Sequence, residues 1–438
     1  MKSLIPNNVT SEYWLKNCTI VQGAYLPVIS KGCVHIKDGR FTAVGSASIA
    51  PELGEDCCVI DLDGAVLVPG FLNVHTHCAL AVARGRFHGN ANMVEDFFFP
   101  LESKMQPDDL EELSYPYMMS ALASGTTLIA DHYYHGEGTA LAARKLGIRA
   151  GIAECLMDVK GAHLTQEAVS GYATFKSKFD WDERVFPMVG PHATDTCSTD
   201  LLRGLGEIAR EQKLPLHMHL SQTKSELEDC VQKHGKTPVQ YASDLGLLQK
   251  KSLLVHLISA DASDLGLIRA AGSTAVACPA SQVMYENILD PKLLKDSGVN
   301  IALATDCAAS NDTADLYAEI RLYALLSKSM GVQWSADELL AMVTLNPARA
   351  LGLEQDLGSI EAGKRADLQV IERGPELSPF LFPKQDLVYS MTSRLIRQVL
   401  VGGRVVFDHG RFSNVDGQAA IAAFEKRTAQ LLERAGLS

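Results

Sequence analysis

Apolar positions along the chain follow two rhythms. Up to residue 68 they come in short clusters: residues 15–21, 33–36, 41–44, 59–62 and 65–68 read as strands. Asp38-Gly39 and Asp63-Gly64 are turn signals between them, and Pro69-Gly70 marks a boundary. Beyond it, apolar β runs at 70–74, 126–130, 150–156, 185–189, 214–220, 252–257, 273–277 and 300–304 alternate with helical patterns such as 108–124, 199–212, 238–245 and 262–271. Eight β runs alternating with helices predict an α/β chain built as a closed parallel (β/α)8 TIM barrel. A doubly wound open sheet is the rival. No glycine-rich phosphate loop follows any run, which weakens it. After residue 353 the rhythm returns to β at 366–371, 397–401 and 404–407, able to pair with the N-terminal strands into one flanking module. Ile421, Phe424, Thr428, Leu431 and Ala435 give the tail helical spacing.

A length of 438 residues suits a barrel plus a smaller module. The net charge of -12, with no basic run, argues against nucleic acid or anionic membrane as a partner. The first residues carry Asn7, Asn8, Glu12 and Lys16 and do not read as a signal peptide. No apolar stretch is long enough to span a bilayer, so a cytoplasmic location is expected. The ten cysteines include no Cys-x-x-Cys pair. They read as reduced core thiols and argue against a zinc–thiolate site.

Candidate chemistry gathers at the ends of the β runs. In His75-Thr76-His77 two imidazoles point to the same side of a strand, at the end where barrel active sites lie. His217-Met218-His219 closes the fifth run, His256 the sixth, and Asp306 the eighth. Titratable residues at the ends of different barrel strands converge in space although they are far apart in sequence.

These segments resemble the amidohydrolase superfamily, in the branch of the adenosine, methylthioadenosine and S-adenosylhomocysteine deaminases and the triazine hydrolases (chlorohydrolases). The resemblance is carried by residues 69–77 (PGFLNVHTH), 217–223 (HMHLSQT), 304–311 (ATDCAASN), 345–349 (LNPAR) and 358–368 (GSIEAGKRADL). It implies a metal-dependent barrel over 69–356 and a β-sandwich made from 1–68 and 357–438, with a terminal helix. It also implies His75, His77, His219 and Asp306 as ligands of one divalent metal, zinc, with ferrous iron as the alternative. Asp306 would share the proton of the metal-bound water, and His256 would orient or deprotonate it. His217 is read as a buried structural histidine. A homodimer is expected at family level only.

Three departures from the relatives matter. Gln222 stands where deaminating relatives place a glutamate that protonates the ring, and glutamine has no acidic proton to give. Glu154 stands where S-adenosylhomocysteine deaminases carry an arginine; facing the pocket, it would repel a carboxylate and favour an amine. Ala277-Cys278-Pro279 replaces the usual His-Asn-Pro, and Ser259 replaces a second histidine after strand six. His192 resembles a substrate-contacting position. His132 and His135 are expected to line the mouth. Phe97, Phe98 and Phe99, with residues 90–93, form the first loop, a candidate lid. Ser310 and Asn311 are expected to brace Asp306.

The expected function is hydrolytic removal of an exocyclic amine from a nitrogen heterocycle of purine, pterin, pyrimidine or triazine type by metal-bound hydroxide. Catalytic roles fall to His256, Asp306 and Gln222, and substrate contacts to His192, Glu154 and Gln222. The alternatives are hydrolysis of a halide or a cyclic amide, or a weakly active or non-catalytic heterocycle-binding member with Gln222 as the cause.

Overall fold

The computed structural model describes residues 3–7, 9–49, 58–86, 94–159 and 168–437. Five strands come first: β1 (Glu12–Val21), β2 (Val28–Lys37), β3 (Arg40–Ser46), β4 (Val59–Asp61) and β5 (Val66–Pro69). The barrel strands follow as β6 (Phe71–Thr76), β7 (Thr126–Tyr133), β8 (Arg149–Leu156), β9 (Val185–Pro191), β10 (Leu216–Leu220), β11 (Ser252–His256), β12 (Thr274–Ala277) and β13 (Asn300–Leu303). They stand side by side in chain order and pair in parallel. The first and last meet at a seam. Thr76 bridges to Asp306, and the Asp306 N–H donates to the His75 carbonyl at 3.1 Å. The architecture is the expected (β/α)8 barrel.

Parallel strands covered on both faces need apolar residues throughout. Every residue of β6, β7, β10 and β11 is accordingly buried. Leu72, Val74, Leu128, Met188, Leu253 and Val255 fill the barrel interior. The outer helices show ordinary end signals. The helix Thr199–Gln212 starts where the Ser198 hydroxyl accepts from the Leu201 N–H at 3.2 Å, and stops at Lys213 in the left-handed region. Its buried face is Leu201, Leu202, Leu205 and Ala209.

One expected boundary is wrong in an informative way. The apolar pattern of the second run ends at residue 130, where Asp131 and His132 interrupt it. β7 continues through them to Tyr133. Polar residues at the C-terminal ends of barrel strands line the active-site face, so the interruption marks the site and not the end of the strand.

The remaining strands, β14 (Leu368–Ile371), β15 (Ile396–Val401), β16 (Arg404–Asp408) and β17 (Arg411–Phe412), join β1–β5 in one hydrogen-bonded mixed sheet. β14 runs antiparallel to β5, tying the two ends of the chain together over their own core of Tyr13, Leu15, Ile20, Phe41, Leu67 and Val370. Buried Arg149 at the start of β8 forks onto Asp367 of this module at 2.7 and 2.9 Å. The C-terminal helix Gly417–Ala435 reaches back through Arg427 and Arg434 to the buried Asp109 of the helix Pro107–Ala123. No disulfide joins the described cysteines and all but Cys58 are buried, while Cys57 lies outside the described residues. No helix among the described residues is long and apolar enough to cross a membrane.

Candidate metal centre

His75 and His77 sit at the end of β6 and Asp306 just beyond β13, so closure of the seam brings them together. The His75 and His77 Nε2 atoms each lie 3.4 Å from Asp306 Oδ1. His219, at the end of β10, stands across from them, its ring 5.0 Å from that of His75 and 5.3 Å from that of His77. His256 closes β11 with Nε2 3.9 Å from Asp306 Oδ2. Potential ligand atoms of His75, His77 and Asp306 lie within 4.8 Å of one another; so do those of His75, His219 and His256, and those of His256, Cys278 and Asp306.

The Nδ1 atoms of His75 and His77 are held. His77 Nδ1–H donates to the His132 carbonyl oxygen, leaving the Nε2 lone pair toward Asp306. His75 Nδ1 lies 2.8 Å from His217 Nε2, so His217 orients a neighbour. Other atoms are left over. His75 Nε2, His219 Nδ1 and His256 Nδ1 are buried with no hydrogen-bond partner. A buried polar atom left unsatisfied costs about 1–3 kcal/mol, and a divalent cation at the cluster would relieve that cost at whichever of these nitrogens face it. Burial holds the imidazoles of His75, His132, His217 and His219 below their ordinary range. It brings His192 down to about 4, and His256 to about 3 against the pull of Asp306. Burial alone would raise the Asp306 carboxyl, but His75 and the other imidazoles overcome it and hold Asp306 below the usual carboxylate range. Neutral imidazoles around an ionised carboxylate are the state a divalent ion requires.

Asp306 adopts φ 59°, a strained setting for a residue with a side chain. Its supports come from several elements. Ser281 donates to Oδ2 at 2.6 Å, and the Cys307 N–H to Oδ1 at 2.8 Å. The Tyr117 hydroxyl donates to its carbonyl at 2.6 Å. Asn73 holds Thr305 through both side-chain atoms, at 2.6 and 3.1 Å. Ser310 acts through Ser281, at 2.8 Å, and Asn311 through the Thr305 carbonyl, at 2.7 Å. Ser281, Tyr117 and Asn73 were not singled out from the sequence. Ser281 carries a weak signal, standing two residues after the Pro279 that opens the helix following β12; Tyr117 carries none.

Other expected contacts fare differently. Glu154 does not stand free toward a substrate. Its oxygens accept the backbone N–H groups of His135 and Gly136, at 3.0 and 2.8 Å, and so brace the turn after β7, where His135 takes φ 51°. His132 is not at the mouth. It is fully buried with its ring 5.0 Å from that of His217 and 5.1 Å from that of His219. His135 takes the N-cap position of the helix Gly136–Leu146 without a side-chain capping bond. His192 stands with its ring 4.9 Å from His219, Nδ1 paired with Thr196 Oγ1 at 2.8 Å. Gln222 is half-buried in the turn after β10, and its N–H donates to Glu226 at 2.7 Å. Phe97 and Phe98 are buried in the main core; residues 90–93 of the candidate lid lie outside the described residues. On the helix Phe99–Glu102, the Glu102 carboxylate accepts from the Tyr133 hydroxyl at 2.7 Å, and the Tyr133 ring is 6.0 Å from that of His77. Burial lifts Glu102 to about 8.

The model of the amidohydrolase family matches residues 66–406. A 5-methylthioadenosine/S-adenosylhomocysteine deaminase of Moorella thermoacetica is 33% identical over 421 residues, covering 94% of this chain and 98% of the relative. A 5'-deoxyadenosine deaminase of Methanosarcina acetivorans is 31% identical over 417 residues, covering 93% and 95%. A zinc-bound adenosine deaminase structure from Xanthomonas campestris shares the fold with a TM-score of 0.89 at 23% identity, covering 96% of this chain and 99% of that one.

Proposed function

Because the chain belongs to the amidohydrolase family and is a metal-dependent C–N hydrolase of the deaminase type, we propose that it removes the 6-amino group from a purine nucleoside lacking a carboxylate. The observation that carries this reading is the cluster of His75, His77 and Asp306, whose potential ligand atoms lie within 4.8 Å of one another, with the buried His75 Nε2 left without a hydrogen-bond partner. His75, His77, His219 and Asp306 would hold one ion, zinc in preference to iron given three imidazoles and a carboxylate. Such an ion would lower the pKa of a water toward neutrality. Asp306 Oδ2 takes a proton from the attacking water as the water oxygen bonds to the ring carbon. The same proton passes to the amine as the C–N bond breaks and ammonia leaves. His256, neutral and 3.9 Å from Oδ2, orients the water. Gln222 hydrogen-bonds the ring edge without donating an acidic proton, and His192 holds the substrate beside it. Glu102, on Tyr133, accepts from hydroxyl groups of the sugar.

With Glu154 committed to the β7 turn and no arginine in its place, a substrate carboxylate has no counter-charge there. This favours 5'-methylthioadenosine and 5'-deoxyadenosine over S-adenosylhomocysteine. The division into 1–68, 69–356 and 357–438 and a homodimeric state are parts of the same proposal. The test is metal analysis with an ammonia-release assay on those three compounds, guanine and an amino-triazine. One zinc per chain and fastest release from the uncharged adenosine derivatives are expected. A product other than ammonia, with ammonia absent throughout, overturns the deaminase reading in favour of another leaving group. Gln222 also favours a second reading, a weakly active or binding-only member; brisk turnover by the native chain eliminates it.

A further inference from the structure

We infer that Glu226 is a positioning residue: its carboxylate locks the turn that carries Gln222 to the loop that carries His192, and so fixes the two groups that grip the substrate. The inference rests on the reading of those two residues given above.

Glu226 lies in the first turn of the helix Lys224–His234 and is only 3% exposed. A buried carboxylate is retained only with partners, and here they come from two different barrel loops. One oxygen accepts the Thr194 hydroxyl at 2.5 Å, two residues past His192. The other accepts the N–H of Gln222 itself at 2.7 Å. The helix entry is separately fixed, because the Thr223 hydroxyl accepts the Glu226 N–H at 3.0 Å. Thr223 thus does the capping, and the Glu226 side chain is free for a longer reach. What it reaches is under strain. Ser221, between β10 and Gln222, takes φ 51°, and its carbonyl accepts the Ser259 N–H at 3.0 Å from the loop beyond His256. His219 N–H donates to the His192 carbonyl at 2.9 Å on the other side. Glu226 therefore closes a ring of contacts joining the loops after β9, β10 and β11. Such outer partners typically change activity about 10–100-fold when removed.

The test uses the metal-loaded full chain and whichever compound of the panel above is deaminated fastest. Glu226→Ala and Gln222→Ala are each expected to lower kcat by about 10–100-fold, and the double variant no further than Glu226→Ala alone, because Glu226 acts through residues 222 and 192. Glu226→Gln, which keeps an acceptor, recovers part of the loss. Thr194→Val serves the same cycle if Glu226→Ala does not fold. An additive double variant overturns the proposal. Hydrogen exchange on the resting protein gives an independent readout. Glu226→Ala should raise exchange in 192–196 and 220–223 together, and loosening of one segment alone, or of neither, also overturns it. If the wild type deaminates nothing, the proposed function falls while the exchange result still decides the clamp.

Discussion

Asp306 owes its aim to Ser281, Cys307 and Tyr117, which hold its side chain and its strained backbone from separate elements. Ser281→Ala removes the donor to Oδ2, the oxygen proposed to carry the proton. We expect kcat to fall about 10–100-fold and bound metal to become easier to strip with a chelator; unchanged values for both would show that Ser281 is only packing. Gln222→Glu supplies the missing acid. Ammonia release should rise about 10²-fold on substrates whose ring nitrogen must be protonated, and a fall would mean that the native substrate brings its own proton. Neither residue's role follows from its type alone. Ser281 matters because the helix after β12 aims it at a carboxylate from β13, and no local pattern announces such a contact.

At the scale of elements, much was legible. The helices read at 199–212 and 262–271 start and stop where expected, because Ser198 and Asp261 cap their beginnings and Lys213 and Gly272 their ends. The barrel runs were readable because fully buried parallel strands leave unbroken apolar stretches. Reading failed at β7, where Asp131 and His132 are polar yet buried. It failed again at Glu154, where position in the strand was right but its partner is the β7 turn. That partnership is testable. Glu154→Ala should destabilise the protein by about 1–3 kcal/mol through the freed His135 and Gly136 amides, with KM for uncharged nucleosides nearly unchanged. A large KM change with unaltered stability would return Glu154 to the substrate.

For the whole molecule, the fork from Arg149 to Asp367 joins the barrel to the sheet made from both chain ends. Replacing one partner of a buried pair typically costs about 3–5 kcal/mol. Arg149→Met should lower the urea midpoint accordingly while leaving kcat intact in the folded fraction. The buried acids give stability a direction with pH. Burial lifts Glu102 and Glu319 to about 8 and Glu154 and Glu226 to about 7, above their ordinary 4.5. Between 4.5 and those values the folded chain keeps protons the unfolded chain has released, so this contribution weakens as pH rises. Six buried imidazoles work oppositely and outnumber these acids: His192 and His256 are lowered to about 4 and about 3, and His75, His132, His217 and His219 are lowered as well, so below 6.5 the unfolded chain gains protons the folded one refuses. Tm should therefore climb as pH drops from 8 toward 6.5 and turn down below it; calorimetry showing Tm level or rising from 6.5 to 8 would contradict this. The seam between β6 and β13 has its own consequence for how the enzyme is made. Asn73 and Thr305, which bond across it, are 232 positions apart. A ribosome must release the chain through Asp306 before the proposed ligand set can exist. Loading is then a late act of maturation, and an empty protein should gape first along this line, where the first and last staves of the barrel meet through an isolated bridge and a few side-chain bonds.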